Sequence, residues 1–130
     1  MVVLETSFLI DLLKDNEKAA QIVKKLDRLD EEKCAASVTA MELYFGVLQS
    51  GKEEKIMKLI SLLRSLIILD FDYASAIEAS RIKNDLTKKG MIIELEDIMI
   101  AGIAKINKQK LITRNAKHFE RIGGLEVETY

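Results

Sequence analysis

Apolar positions in this chain change period several times, and the changes mark out its elements. Val2–Leu4 is an unbroken apolar run of the kind that forms a buried strand. From Ser7 the spacing becomes helical, with Phe8, Leu9, Leu12 and Leu13 on one face and Ser7 as the expected N-cap. Asp15-Asn16 breaks this helix and opens another, in which Ala19, Ile22, Val23, Leu26 and Leu29 recur at helical spacing. Cys34–Val38 is small, apolar and partly β-branched, a second strand. Thr39 is expected to start a helix carrying Met41, Leu43, Tyr44, Val47 and Leu48 that stops near Ser50-Gly51. Lys52–Arg64 reads as an amphipathic helix, Leu66–Leu69 as the third strand, and Asp72 or Tyr73 to Lys88 as a long helix ended by Gly90. A helix from Glu94 or Leu95 through Asn107 follows, then strands at Lys110–Thr113 and Leu125–Val127.

Strands alternating with helices predict an α/β fold in three layers, a central parallel sheet of five strands covered by helices on both faces. No repeat or linker divides the 130 residues, so residues 1–130 form a single domain. Composition narrows the function more than the fold. Apolar runs are too short for the ~20 residues that span a bilayer, and no membrane association is expected. No basic region precedes the apolar start, and the one cysteine, Cys34, excludes an internal disulfide. Both features point to a cytoplasmic protein. A net charge of −1 argues against holding nucleic acid by bulk electrostatics, although an acidic site and a basic rim can cancel in such a sum.

In a parallel sheet, ligands bind outside the carboxyl ends of the strands where strand order reverses. Glu5 ends the first strand, Glu42 lies in the expected first turn of its helix, and Asp97 lies in the first turns of the helix ELEDIMIAGIA. Three acids from distant parts of the chain would thus meet on one rim, and acids packed together repel unless a cation joins them. Hard divalent cations take such oxygen ligands and can activate water beside a phosphodiester. Strand-end and helix-start acids also serve as caps and complement the helix dipole, and spacing alone leaves both roles open. Thr6, Ser7, Thr113 and Arg114 neighbour the same rim. Arg114 suits a phosphate or a surface ion pair equally, and His118, the only histidine, suits a packed or surface position.

In order, VVLETSFLIDLL, SVTAMELYFGV, GMIIELEDIMIAGIA and LITRNAKHFERIGGLEV resemble the motifs of PIN-domain proteins, especially VapC-type toxin ribonucleases of toxin–antitoxin pairs. The resemblance runs from Val2 to Val127. It implies a PIN-like fold and a Mg²⁺- or Mn²⁺-dependent endoribonuclease with Glu5, Glu42 and Asp97 as the metal ligands. It further implies an RNA substrate, a homodimer, and a cognate antitoxin that lays a helix or tail near the acids, against a surface that could include Tyr44, Phe45 and Leu48. Two positions depart from the pattern. The family's first acid is an Asp where this chain has Glu5, and a further acid is often found where this chain has Asn115 or His118. Asn115 can still orient a water or phosphate through its amide. A catalytically weakened PIN-fold protein that acts by binding RNA or antitoxin is therefore the second reading. Lys83, Lys88, Lys89, Lys105, Lys108 and Lys110 could line an RNA path or simply solvate their helices. An unrelated nucleotide-binding domain would want a Gly-rich loop after the first strand, and a receiver would want paired acids there. Thr6 and Ser7 occupy that turn instead.

Overall fold

The three inner strands of this chain alternate their side chains between two apolar layers, and that alternation determines how the helices pack. The computed structural model describes residues 1–130. In chain order the elements are β1 (Val2–Leu4), α1 (Thr6–Leu13), α2 (Glu17–Arg28), β2 (Lys33–Ala36), α3 (Ser37–Ser50) and α4 (Glu53–Arg64). They continue as β3 (Ile67–Leu69), α5 (Tyr73–Lys88), α6 (Leu95–Ile106), β4 (Lys110–Ile112), α7 (Ala116–Phe119) and β5 (Val127–Glu128). The five strands lie in the order β3-β2-β1-β4-β5, and every pairing is parallel.

Val3, Cys34 and Leu111 pair in register and point to one face, where they join Ala79, Ile82 and Leu86 of α5, Ile98, Ile100 and Ile103 of α6, and Phe119 of α7. Val2, Leu4, Ala35 and Ile112 point to the other, among Phe8, Leu9, Leu26, Leu43, Leu59 and Leu63 of α1–α4. Cores on both faces of one sheet make the expected three layers. No helix is long and apolar enough to cross a membrane.

The chain runs β1, β2, β3 outward on one side, then returns to place β4 on the other side of β1. The order therefore reverses between β1 and β4, which puts the ligand-binding crevice at their carboxyl ends. The Glu5 amide donates to the Ile112 carbonyl, 3.0 Å, and ties the two exits together.

Several expected boundaries move. β2 ends at Ala36 and α3 begins at Ser37, two residues before the expected Thr39, so Glu42 stands in the second turn of its helix and not the first. Ser7 is not the N-cap of α1. Glu5 is, with its own carboxylate accepting the Ser7 amide, because its side chain is long enough to fold back over the first turn. β5 lies at Val127–Glu128, two residues beyond the expected start, and the four-residue α7 had no periodic signal of its own. β3 is an edge strand, with Ile67 and Ile68 exposed.

Candidate active site

At the β1–β4 switch point the backbone leaves two hydroxyls and a carboxylate in one buried knot. Glu5, Ser7 and Thr113 are each at most 4 % exposed. Glu5 Oε2 accepts from the Ser7 amide (2.9 Å), the Ser7 hydroxyl (2.5 Å) and the Thr113 hydroxyl (2.7 Å). Each hydroxyl has one proton, and both protons point at Glu5, so the 3.2 Å separation of Ser7 Oγ and Thr113 Oγ1 is a contact between two lone-pair sites. Those lone pairs are used in turn. Ser7 Oγ accepts the Arg114 amide and Thr113 Oγ1 accepts the Asn115 amide, both at 3.0 Å. The turn after β4 is thereby fastened to the start of α1. Glu5 Oε1 takes none of these bonds.

A second carboxylate arrives from α3. Glu42 Oε1 accepts from the Thr6 hydroxyl at 2.8 Å, and the Thr39 hydroxyl, 2.9 Å from Thr6 Oγ1, must donate to Thr6 in turn. Asp97 arrives from the first turn of α6, with Glu94 at the cap position and Glu96 beside it. Glu5, Thr6, Ser7, Glu42, Glu94, Glu96, Asp97, Arg114 and Asn115 line one cavity of about 290 Å³ with Ile10.

The acids are close enough to feel one another. Burial, then the charges of Glu5 and Glu42, push the Asp97 carboxyl up to about 6, with the His118 side chain opposing the shift. Burial also raises Glu42, against its hydrogen bond from Thr6, and Glu5 and Glu96 add to the rise. This is a set of mutually repelling hard oxygen donors, the chemistry a divalent cation takes. As placed, no three His, Cys, Asp or Glu side chains form a ready ligand cluster, so cation binding here involves side-chain adjustment.

All eight residues singled out from the sequence therefore line one cavity or bond directly to its walls. Arg114 does both, because its guanidinium also pairs with Asp11 at 2.6 Å. Asn115 makes no side-chain cap bond to α7, which leaves its amide free. His118 stands 4.0 Å from Asp97 at the rim. Sequence reasoning missed Asp11, Glu94, Glu96, Thr39 and Tyr130. Asp11 carried a readable signal: it lies four residues after Ser7, on the same helical face, as the one acid in SFLIDLL.

A five-stranded parallel sheet with acids gathered at its switch point defines an α/β domain of nuclease-like architecture, and the model of the PIN domain matches residues 2–125. The chain belongs to the PIN-domain family, with its VapC branch. It is 33% identical over 128 residues to the tRNA(fMet)-specific endonuclease VapC of Shigella flexneri, covering 98% of this chain and 96% of that one. It is 30% identical, also over 128 residues, to Ribonuclease VapC2 of Haemophilus influenzae, with the same coverage. Among solved structures, VapBC2 from Rickettsia felis bound to a DNA fragment from their promoter superposes with a TM-score of 0.92 at 28% identity, covering 100% of this chain and 99% of that one. DNA-bound VapBC from Salmonella typhimurium gives 0.90 at 30% identity, with 99% and 98% covered.

Proposed function

We propose that this protein is an endoribonuclease, the toxin of a VapBC-type toxin–antitoxin pair, and that it hydrolyses RNA phosphodiesters with Mg²⁺ or Mn²⁺. The observation that carries the reading is the meeting of Glu5, Glu42 and Asp97 in one cavity at the switch point of the sheet. Held by Glu5, Glu42 and Asp97, the cation would supply charge neutralisation at the phosphate and an activated water. The protein's own groups do the rest. Ser7 and Thr113 fix Glu5 so that its free oxygen serves the cavity, and Thr6 does the same for Glu42. Asn115 is placed to orient a water or a phosphate oxygen, and Arg114 to meet a phosphate charge.

The antitoxin is the partner, as in the VapBC complexes that this fold matches. A homodimer is expected beside it, and Met41, Phe45 and Leu48 form an exposed apolar stripe along α3 that is open to a partner chain. The single cysteine, Cys34, has no partner for an internal disulfide, which suits work in the cytoplasm.

The test is cleavage of single-stranded RNA in Mn²⁺ by the purified protein, Glu42→Ala and Asp97→Ala. The expected result is cleavage by the first and background from the other two. Equal rates for all three would remove the nuclease reading and leave a PIN-fold protein that acts by binding RNA or antitoxin.

A further inference from the structure

Asp11, on α1, is buried, yet none of the acid-site chemistry uses it. A buried carboxylate is costly unless it is paired, and both oxygens of this one are. Arg114 Nη1 donates to Oδ1 at 2.6 Å, and the Tyr130 hydroxyl donates to Oδ2 at 2.5 Å. Tyr130 is itself fixed, its ring edge-to-face on Phe8 with centroids 5.1 Å apart and planes at 87°. Burial, and then the bond to Asp11, raise the tyrosine above its ordinary range, so it stays a donor at every working pH. The Arg114 backbone is held separately by Ser7.

The guanidinium is anchored by one arm and open on the rest, since the Arg114 side chain is 53% exposed while Asp11 is 11%. It has five N–H donors, and Asp11 accepts from one nitrogen. It also stands at a junction. Arg114 and Asn115 line both the acid cavity and a neighbouring hollow of about 460 Å³ floored by α7, with Lys117, His118 and one acid, Glu120, on its wall. A polyanion passing from the acids into that hollow crosses Arg114.

We propose that Asp11 and Tyr130 are positioning residues that set Arg114 to grip the phosphate next to the scissile one, and that the RNA strand leaves the acids over α7. The inference rests on the ribonuclease reading and adds the strand's path and the device that fixes its cation. A phosphate beside the reacting one is bound alike in the ground and transition states, so the contact acts on KM and not on kcat.

The experiment is a double-mutant cycle on RNA cleavage with Arg114→Ala, Tyr130→Phe and the double variant, with melting temperature followed in parallel. Tyr130→Phe keeps the ring on Phe8 and removes only the donor. Arg114→Ala should raise KM about 10- to 100-fold, the range for a lost charged hydrogen bond, with kcat held. Tyr130→Phe should raise KM several-fold in the parent and leave it unchanged in the Arg114→Ala background, because it acts through that arginine. A merely structural clamp would instead lower kcat at constant KM, with the same factor in both backgrounds, and that result overturns the proposal. Parent-like kinetics in the variants, with Glu42→Ala inactive, would overturn it and leave the ribonuclease reading standing. An inactive parent protein would remove both.

Discussion

At the residue scale, the unusual feature is a carboxylate that caps its own helix while serving a site. Glu5 does this with one oxygen, since Oε2 takes the Ser7 amide while Oε1 makes none of the knot's bonds. Asp97 has no such support, and its strain is electrostatic. Its carboxyl sits at about 6 against an ordinary 3.8, so the folded protein binds this proton more tightly than the unfolded chain does. Stability from this group is then fully present below the unfolded value and is lost as pH rises through about 6. Asp97→Asn, which removes the repelling charge, should melt higher than the parent at pH 8 in EDTA, and the gain should shrink towards pH 4. Thermal melts at three pH values decide it. An equal or lower melting temperature at pH 8 would mean the acids do not repel in the cation-free protein. Loss of cleavage alongside gained stability is the pattern of a site whose function costs stability.

At the element scale, the α5–α6 contact is the closest helix packing, and one glycine permits it. A Cβ at Gly102 would lie 2.9 Å from the Ser75 carbonyl oxygen and 3.0 Å from the Ala79 Cβ. The oxygen belongs to backbone and cannot turn aside. Gly102→Ala should therefore destabilise the fold despite the ~1 kcal/mol that alanine gains in a helix interior, because overpacking costs about 1–3 kcal/mol. Chemical denaturation gives the sign, and a stabilised variant would refute the close contact. The same helix carries Asp97, so α6 must be both near and fixed for the acids to meet. Elements of this kind were the most legible in the sequence. The long helices α2, α5 and α6 announced themselves by apolar spacing and by Asn16, Asp72 and Glu94 at their starts. Strand ends and the first turns after them were harder. Ser37 and Val38 are as compatible with a strand as with a helix, and only the register of β2 against β3 settles where the strand stops. α7 spans a single turn, too short for a period to be read. The three acids were singled out through the motifs that surround them, since a strand end or helix start alone left cap and ligand roles open. The knot that holds Glu5 was not legible, because Ser7 and Thr113 are 106 residues apart and meet only through the β1–β4 pairing.

At the scale of the whole molecule, the charge of −1 hides a division, because seven of the twenty Lys and Arg side chains pair with carboxylates of the fold. Lys33 pairs with Asp27, Lys58 with Asp15, Lys89 with Asp85, and Lys110 with Glu128. Glu78, nearly buried in α5, takes both Lys105 and Arg81 and is held below the usual carboxylate range by Lys105 first. Half of the lysine path considered from the sequence, Lys89, Lys105 and Lys110, is therefore committed to carboxylates within the fold. The cations that adjoin the acid cavity are Arg114 and Lys117, grouped on one hollow with His118 and Glu120. Binding of a single strand should then release few counterions. With two or three phosphates contacted, and about 0.7 of a log unit per phosphate for single strands, the slope of log K against log[salt] should lie near −1.4 to −2. Fluorescence anisotropy with a labelled oligoribonucleotide on the Asp97→Asn protein measures this without strand loss. Adding Arg114→Ala should make the slope shallower by roughly 0.7, whereas Lys108→Ala, on the far rim of the old lysine path, should leave it alone. A slope steeper than about −4 would require a long basic track, and it would move the substrate away from α7 and onto the lysines of α5 and α6.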